Sequence, residues 1–254
     1  MKKSLFIDCS LGLASDMLVA ALLDISDDKD EILHELQVKI CNNMTLSADY
    51  ANSYERQGLV FKAMSDDFIC GHGHSEHCHS SLLDVLNFID GTQFSVSVKD
   101  SAKAVYDVIA TAEAKVHGAT KDTVHFHEVG QKRAIACIVC ACALFEKLAA
   151  DEIVFSHINT GYGTVQCAHG EVSVPAPATA VILEGIPHFY NGDIAPCELC
   201  TPSGVALVKH FASSFIESKD MQKRLSDSDI LASGVGLGRR DIGVANGIIC
   251  YLLR

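Results

Sequence analysis

The stretch AIACIVCACALFEKLAADEIVF, residues 134–155, decides the class of fold. Its apolar content is nearly continuous over residues 134–148, which predicts a helix that is buried on most sides. Residues 151–155 then have the composition of a strand. A helix that leads directly into a strand is typical of an α/β layer, in which helices cover a sheet.

The N-terminus shows the same two elements in the opposite order. Residues 4–9 are short and largely apolar, as in a strand, and residues 14–24 carry apolar side chains at helical spacing. We therefore predict an α/β (or α+β) fold in which a layered sheet with flanking helices forms a single large domain over residues 1–254. A chain of 254 residues is long enough to bury such a core.

Charge and composition argue against two classes of function. The chain has 32 acidic and 20 basic residues, and its formal charge of −12 opposes binding to nucleic acid. No apolar run reaches the length of a membrane span, and Asp8 and Asp16 interrupt the N-terminal apolar stretch. We therefore expect a cytoplasmic protein without nucleic-acid or membrane partners.

The eleven cysteines are an odd number scattered through the chain, which predicts free thiols rather than a disulfide framework. Cys137, Cys140 and Cys142 lie in an apolar run, where cysteine most often serves as a small core residue. Cys197 and Cys200 have the spacing of redox and zinc sites, but a single C-x-x-C is a weak signal.

The sequence GHGHSEHCH, residues 71–79, places four histidines, one cysteine and one glutamate within nine residues. Imidazole and thiolate donors suit zinc, nickel and copper, whereas magnesium and calcium prefer oxygen. We interpret the four histidines as a loop that captures or delivers a late transition metal: His72, His74, His77 and His79. The alternatives are a solvated loop that binds metal adventitiously and the remnant of a purification tag, and the internal position argues against the tag.

Small residues occupy the loop before the first predicted helix: Ser10, Gly12 and Ser15. Backbone amides can approach a ligand closely there, and the start of a helix attracts anions, so one interpretation is a phosphate site for a bound cofactor or substrate. The other interpretation is a tight turn in which Ser15 is the N-cap.

His125 and His127 alternate with Phe126 in a short segment that reads as a strand. On a strand the two imidazoles would lie on one face and could share a metal, with Glu128 beside them. The competing explanation is a pair of hydrogen-bonded histidines at a strand end, because histidine also occurs in ordinary buried networks.

Turn and cap residues predict further loops. Residues 161–174 resemble a β-hairpin with His169 near its tip, and Ser81 and Thr201 are predicted to cap helices. The spaced glycines of residues 233–241 do not form a dinucleotide fingerprint, because two arginines occupy the place of the helix opening.

Taken together, these motifs resemble the nickel insertion proteins of the nickel-pincer cofactor pathway of lactate racemase. The motifs occur in the same order and at similar spacing along the chain. The matching segments are residues 8–17, the histidine-rich loop with residues 81–85, residues 114–118, residues 125–130, residues 167–179 and residues 198–204.

The resemblance implies insertion of nickel into pyridinium-3,5-bisthiocarboxylic acid mononucleotide, with formation of carbon–nickel and sulfur–nickel bonds. The activity would be that of a nickel insertase, a cyclometallase of the lyase class, in a step that depends on CTP and on Mg²⁺ or Mn²⁺. The resemblance places nucleotide binding and homo-oligomer formation in a C-terminal region. We expect that region to be absent from residues 1–254 and to be supplied by a C-terminal family fragment as a partner.

The chain departs from this family after Gly130. The family typically continues Ala-Val-Asp-Ser, whereas this chain continues Gln131-Lys132-Arg133-Ala134. The change removes a carboxylate and adds two cations beside the expected metal or phosphate site, which alters the local field.

Our leading hypothesis from the sequence is a nickel-handling component of cofactor assembly, in which the histidine-rich loop collects the ion. The residues expected to present the ion are His125, His127 and His169. The carboxylates expected to act in catalysis, by orienting ligands or holding a cation, are Asp8, Asp16 and Glu128. The alternatives are a divergent, non-catalytic metal-binding or nickel-delivery module and a zinc-dependent hydrolase that uses His125 and His127.

Overall fold

The computed structural model of the chain describes residues 2–40, 43–65, 80–167, 170–192, 194, 196–226 and 229–254. The α-helices in those ranges are α1 Ser15–Asp24, α2 Lys29–Ile40, α3 Leu82–Gly91, α4 Val96–His117, α5 Lys132–Leu148, α6 Pro177–Ile182, α7 Pro202–Phe211 and α8 Ser218–Ser226. The strands there are β1 Ser4–Leu11, β2 Met44–Ser53, β3 Arg56–Ser65, β4 Ser80–Ser81, β5 His125–Phe126, β6 Glu152–Ser156, β7 Ile158–Asn159, β8 Gly161–Tyr162, β9 Thr164–Cys167, β10 Gly170–Ser173, β11 His188–Phe189, β12 Cys197–Glu198, β13 Ser214–Ile216, β14 Ile230–Leu237 and β15 Gly247–Leu253. A 3-10 helix covers Glu128–Gly130. As far as the described residues go, no helix is long and apolar enough to cross a membrane.

Seven of the strands in the described ranges form one mixed sheet, in the order β13-β6-β1-β15-β14-β3-β2. Strands β13, β6 and β1 are parallel neighbours, whereas β15 runs antiparallel to both β1 and β14. Strand β3 is parallel to β14 and antiparallel to β2. With helices packed against it, this sheet confirms the predicted α/β class and layered arrangement.

The two faces of the sheet contact different layers. Leu5 and Ile7 of β1 point into the main core, to which helices α1 to α7 contribute buried side chains. Phe6, which points to the other face, belongs to a smaller cluster with Met221 and Leu225 of α8. Of the helices in the described ranges, α8 therefore covers the second face, and the other seven build the main core.

Helix α1 lies directly against β14 because two glycines of the strand carry no side chain. A Cβ atom on Gly236 would overlap the carbonyl oxygen of Met17, and one on Gly234 would lie 2.5 Å from the amide nitrogen of Ile25. Val235 N donates a hydrogen bond of 2.9 Å to the side chain of Asp24, the last residue of α1. The helix is thus fixed on the strand over its whole length.

Most predicted helices and strands are confirmed. Helix α5 and strand β6 match the predicted residues 134–148 and 151–155 apart from their ends. Ser81 caps α3 in a capping box with Asp84, and Thr201 caps α7 by accepting a backbone hydrogen bond of 3.2 Å. The sequence does not predict β2, because its residues show no clear apolar alternation and its pairing with β3 stabilises it.

The eight cysteines within the described ranges are free thiols, as predicted. Cys137, Cys140 and Cys142 are buried in the main core, which confirms their interpretation as core residues. Cys200 is also buried, whereas Cys197 is half-buried, so this pair is divided between the core and the surface.

Replacement of Gly236 by alanine should push α1 away from the sheet, because the added Cβ meets backbone atoms that no side-chain rotation can move. We expect the free energy of unfolding to fall by about 2–3 kcal/mol, as for an overpacked core position. Urea unfolding measures this loss. The control is Gly91→Ala at the end of α3, where a Cβ meets no atom within 4 Å, and it should not destabilise the chain. Equal midpoints for the two variants would contradict the close contact of α1 with β14.

Candidate functional site

Four segments of the chain meet at the carboxyl end of β1. Helix α1 begins after β1 and α5 runs back to the start of the parallel strand β6, so both helices begin at this end of the sheet. The loop between β14 and β15 reaches the same place, because Leu11 pairs with Gly247. A bridge between Leu13 and Cys200 brings in the segment before α7. In open α/β sheets, ligands bind outside the carboxyl ends of the strands.

The loop before α1 is held by the segment before α7. Leu13 N donates to Leu199 O at 2.7 Å, and Thr201 N donates to Leu13 O at 2.9 Å. Gly12 has a φ of +133°, and a Cβ atom there would lie 2.9 Å from Asn246 Oδ1. Glycine is therefore required at this position both by the backbone conformation and by the close approach of Asn246.

Two predicted phosphate-binding residues of this loop have protein partners. Ser10 N donates to Asp8 Oδ1 at 2.9 Å, and the buried Ser15 Oγ accepts a hydrogen bond from Ser203 Oγ at 3.1 Å. Ser15 is the first residue of α1 and Ala14 is the N-cap, so the interpretation of Ser15 as the N-cap is wrong. The Ser15 hydroxyl instead joins the starts of α1 and α7. A phosphate site in this loop stays a prediction.

Two carboxylates predicted to act in catalysis lie on different faces of the sheet. Asp8 is buried on the face of β1 that carries Phe6, which packs against α8. Asp16 is in the first turn of α1, on the opposite face. Asp8 holds the end of β1 through its hydrogen bond to Ser10 N, and the structure does not bring it together with Asp16.

Asp16 belongs to a group of side chains that we call the edge cluster: Asp16, Glu128, Arg133, Cys137, Glu198, Arg239 and Arg240. Arg239 Nη2 lies 3.7 Å from Asp16 Oδ2, and 58% of the Arg239 side chain is exposed against 27% of Asp16. Helix α1 packs against α5, which carries Arg133 in its first turn and Cys137 one turn further on. Both of these residues interact electrostatically with Asp16.

Burial raises the pKa of the Asp16 carboxyl above its ordinary value, and Arg239, the backbone amide of Met17 and Arg133 oppose that rise. Burial also raises the pKa of the Cys137 thiol, and the charge of Asp16 adds to the effect. Cys137 is therefore a protonated neighbour of Asp16 at neutral pH. A carboxylate with a raised pKa takes up a proton more readily than a solvated one, so Asp16 is suited to act as a base.

Glu198 forms the second part of the edge cluster. Burial raises the pKa of Glu198, Arg240 opposes that rise, and the charge of Glu128 adds to it. The carboxylates of Glu198 and Glu128 therefore lie close enough to interact. The predicted residue Glu128 thus joins the edge cluster from the 3-10 helix that precedes α5.

Two hydrogen bonds fix the 3-10 helix that carries Glu128. Tyr106 Oη donates to Val129 O at 2.8 Å, and Ser80 Oγ donates to Gly130 O at 2.9 Å. A Cβ atom on Gly130 would lie 2.9 Å from the Cβ of Ser80. Glycine at this position therefore allows β4 to pack against the 3-10 helix.

His125 and His127 lie beside this 3-10 helix but not on one strand. Strand β5 contains His125, which pairs with Ser81, and it ends at Phe126. His127 has a φ of −96° and a ψ of −95° and is the N-cap of the 3-10 helix. The predicted strand over residues 125–130 is therefore wrong beyond Phe126, because the hydrogen bonds to the 3-10 helix turn the chain there.

Five predicted metal ligands lie outside the described residues: His72, His74, His77, His79 and His169. Ser80, which directly follows His79 in the sequence, is fixed by its pairing with Phe126, the residue between His125 and His127. Among the described residues, no group of three or more His, Cys, Asp or Glu side chains is arranged to hold a metal ion.

The sequence does not identify four members of the edge cluster as site residues: Cys137, which it predicts as a core residue, and Glu198, Arg239 and Arg240. For the last three the local pattern is weak. The available signals are a single acidic residue between Cys197 and Leu199 and two adjacent arginines after a glycine-rich stretch. Neither pattern is specific. The partners of these residues come from segments that are distant in the sequence and meet only in the folded chain.

Comparison with known proteins gives consistent matches over nearly the whole chain. A family model described as nickel insertion protein matches residues 5–253. The pyridinium-3,5-bisthiocarboxylic acid mononucleotide nickel insertion protein of Geobacillus kaustophilus is 35% identical over 242 residues, which cover 94% of this chain and 57% of that protein. The proteins of the same description from Staphylococcus saprophyticus and Clostridium kluyveri are 35% and 33% identical, over 98% of this chain and 59% and 62% of their own lengths. No solved structure matches the chain.

Replacement of Asp16 by asparagine should stabilise the fold at neutral pH, because burial disfavours the charged carboxylate. The raised pKa means that the folded chain binds the proton more tightly than the unfolded chain. Below the pKa that Asp16 has in the unfolded chain, its carboxyl does not reduce the stability of the fold. As the pH rises through the higher pKa that Asp16 has in the folded chain, the carboxyl becomes charged and the stability falls. We expect Asp16→Asn to unfold at a higher urea concentration at pH 7 and this difference to shrink as the pH falls towards about 4.

The control for this variant is the same change at the exposed Asp122, which should leave the unfolding midpoint unchanged at both pH values. An Asp16→Asn chain that is less stable than wild type at pH 7 would show that the arginines, rather than burial, dominate the energetics of Asp16.

Proposed function

The chain belongs to the nickel insertion protein family, and we propose that it inserts nickel into pyridinium-3,5-bisthiocarboxylic acid mononucleotide to form the nickel-pincer cofactor. The observation that carries this proposal is the family match over residues 5–253, together with relatives named for this substrate. The chain spans about three-fifths of the length of these relatives, so the activity of the whole protein is part of the proposal.

Nickel is a substrate of this reaction. The two thiocarboxylate groups offer soft sulfur donors that suit Ni²⁺, and the ring carbon between them can form the third bond to the metal. Formation of the carbon–nickel bond breaks the carbon–hydrogen bond at that carbon. The ring carbon keeps the electron pair, the oxidation state of nickel does not change, and a proton must leave to a base.

We assign Asp16 as the base that accepts this proton. Its carboxylate is partly exposed at the carboxyl end of β1, and burial raises its pKa, so it is both accessible and more basic than a solvated aspartate. Arg239 and Arg133 oppose that rise and so favour the ionised form of the carboxyl. Glu128 and Glu198 add negative charge nearby, which favours the approach of Ni²⁺.

We further propose that nickel reaches the edge cluster from the histidine-rich loop. The support for this route is the pairing of Ser80 with Phe126, which brings the chain after His79 beside His125 and His127. Glu128 follows directly and belongs to the edge cluster. The residues that collect the ion in this proposal are His72, His74, His77 and His79, and those that present it are His125, His127 and His169.

We assign CTP and Mg²⁺ or Mn²⁺ to a C-terminal family fragment, as the resemblance implies, and the relatives are longer than the segment that this chain matches. In the part of the chain that the structure describes, no group of three or more acidic or metal-ligating side chains fits such an ion.

Nickel insertion into the purified mononucleotide in the presence of CTP tests the proposed function. We expect nickel-containing product when this chain is mixed with a C-terminal fragment of a relative. Asp16→Asn should slow insertion about 10²- to 10⁴-fold, the usual contribution of a general base, and should leave nickel binding unchanged. Asp122→Asn is the matched control and should retain the wild-type rate. Nickel binding without product under every condition would favour a non-catalytic nickel-delivery module instead.

Nickel capture should depend on the histidine-rich loop and on pH. Imidazole binds metal only in its neutral form, so nickel affinity measured by calorimetry should fall as the pH drops below about 6.5. Replacement of His72, His74, His77 and His79 by alanine should remove this high-affinity binding, whereas replacement of the exposed His34 on α2 should not. Unchanged affinity at pH 5, or in the fourfold variant, would rule out histidine capture.

A further inference from the structure

Three arginines reach the carboxyl end of β1 from two separate segments. Arg133 comes from the first turn of α5, and Arg239 and Arg240 come from the loop between β14 and β15. The chain as a whole carries a formal charge of −12, so its average field repels an anion. A mononucleotide with a phosphate and two thiocarboxylates is strongly anionic and needs a local concentration of cations to bind.

We propose that Arg133, Arg239 and Arg240 bind the phosphate group of the mononucleotide. This assignment rests on the proposed function, since it names the part of the substrate that these side chains hold. Arginine suits this role because its planar guanidinium group donates two parallel hydrogen bonds to phosphate oxygens.

The contact of Arg239 with Asp16 leaves the guanidinium group available to a second anion. The separation of 3.7 Å is longer than a charged hydrogen bond, and 58% of the Arg239 side chain is exposed. Arg133 and Arg240 are also exposed. Each of the three side chains is therefore accessible to a phosphate from solvent, although the phosphate must compete with Asp16 for Arg239 and Arg133 and with Glu198 for Arg240.

The loop that carries Arg239 and Arg240 is already held in place. Asn246 Nδ2 donates to Arg240 O at 3.2 Å, and Gly238 N donates to Asn246 O at 2.9 Å. On the other side of the loop, Tyr54 Oη donates to Asp241 Oδ1 at 2.5 Å. Because the backbone is fixed before the ligand arrives, little ordering of the loop opposes binding.

Binding of the phosphate would also change the neighbouring base. Arg239 and Arg133 lower the proton affinity of Asp16, and a bound phosphate would cancel part of their positive charge. Asp16 would then become a stronger base when the substrate is in place. Conversely, Asp16 competes with the phosphate for Arg239, so its removal should tighten binding of the substrate.

Calorimetric titration of the wild-type chain and of its arginine variants with the mononucleotide tests the assignment. We expect Arg133→Ala, Arg239→Ala and Arg240→Ala each to weaken binding about 10- to 100-fold, as for the loss of hydrogen bonds to a charged group. The corresponding nucleoside, which lacks the phosphate, should bind equally to all of these chains.

Further variants refine the test. The affinity of Arg239→Lys for the mononucleotide should lie between those of wild type and Arg239→Ala, and Asp16→Asn should bind the mononucleotide more tightly. The control is Arg254→Ala, which removes the same charge at an exposed residue directly after β15. This variant should bind the mononucleotide like wild type.

The outcomes separate this inference from the proposed function. If the chain inserts nickel but its affinity for the mononucleotide does not depend on the three arginines, only the phosphate assignment is overturned. Equal losses for mononucleotide and nucleoside would also overturn it, because the arginines would then act on another part of the ligand. If inorganic phosphate displaces the mononucleotide only when the arginines are present, in a chain that inserts no nickel, that result would support the anion site and contradict the proposed function. A titration with CTP completes the test. If the arginine variants lose affinity for CTP but not for the mononucleotide, the arginines bind the phosphates of CTP and the assignment is overturned.

Discussion

Helix α1 can lie against β14 only because Gly234 and Gly236 carry no side chain, and the candidate site depends on that contact. The helix carries Asp16 in its first turn, and the strand leads into the loop that carries Arg239. The depth at which the helix sits on the sheet therefore sets the distance between the carboxylate and the guanidinium group. Backbone packing between two apolar elements thus controls the electrostatics of the polar cluster at their ends.

Burial and opposite charge act against each other throughout the edge cluster. Burial raises the pKa of Asp16, and Arg239 and Arg133 oppose the rise; burial raises the pKa of Glu198, and Arg240 opposes it. A fully solvated carboxylate would be a weak base, and a tightly paired one would release its cation reluctantly. Partial burial with a loose ion pair gives a carboxylate that is basic and still able to exchange partners.

Local features of this fold can be predicted from the sequence, whereas the site depends on contacts between distant segments. The apolar runs of α5 and β6 and the cap at Ser81 are visible within a few residues. The pairing of Asp16 with Arg239 joins residues near opposite ends of the chain, so no local pattern marks it. The turn at His127 cannot be predicted from local sequence for the same reason. The hydroxyl of Tyr106 on α4 donates to the carbonyl of Val129 and so holds the 3-10 helix that follows the turn. The histidine-rich loop is recognisable from composition alone, since its signal is ligand density rather than geometry.

The burial of several cysteines determines which groups of the chain can bind nickel. Burial raises the pKa of Cys140, Cys142 and Cys250, so these thiols stay protonated in the core and do not offer thiolate to a passing ion. Thiolate would hold nickel firmly, whereas neutral imidazole releases it more easily. These three thiols therefore do not compete for nickel with the thiocarboxylates of the proposed substrate. Under the proposed function, transfer from histidine to thiocarboxylate would then run towards the softer ligand.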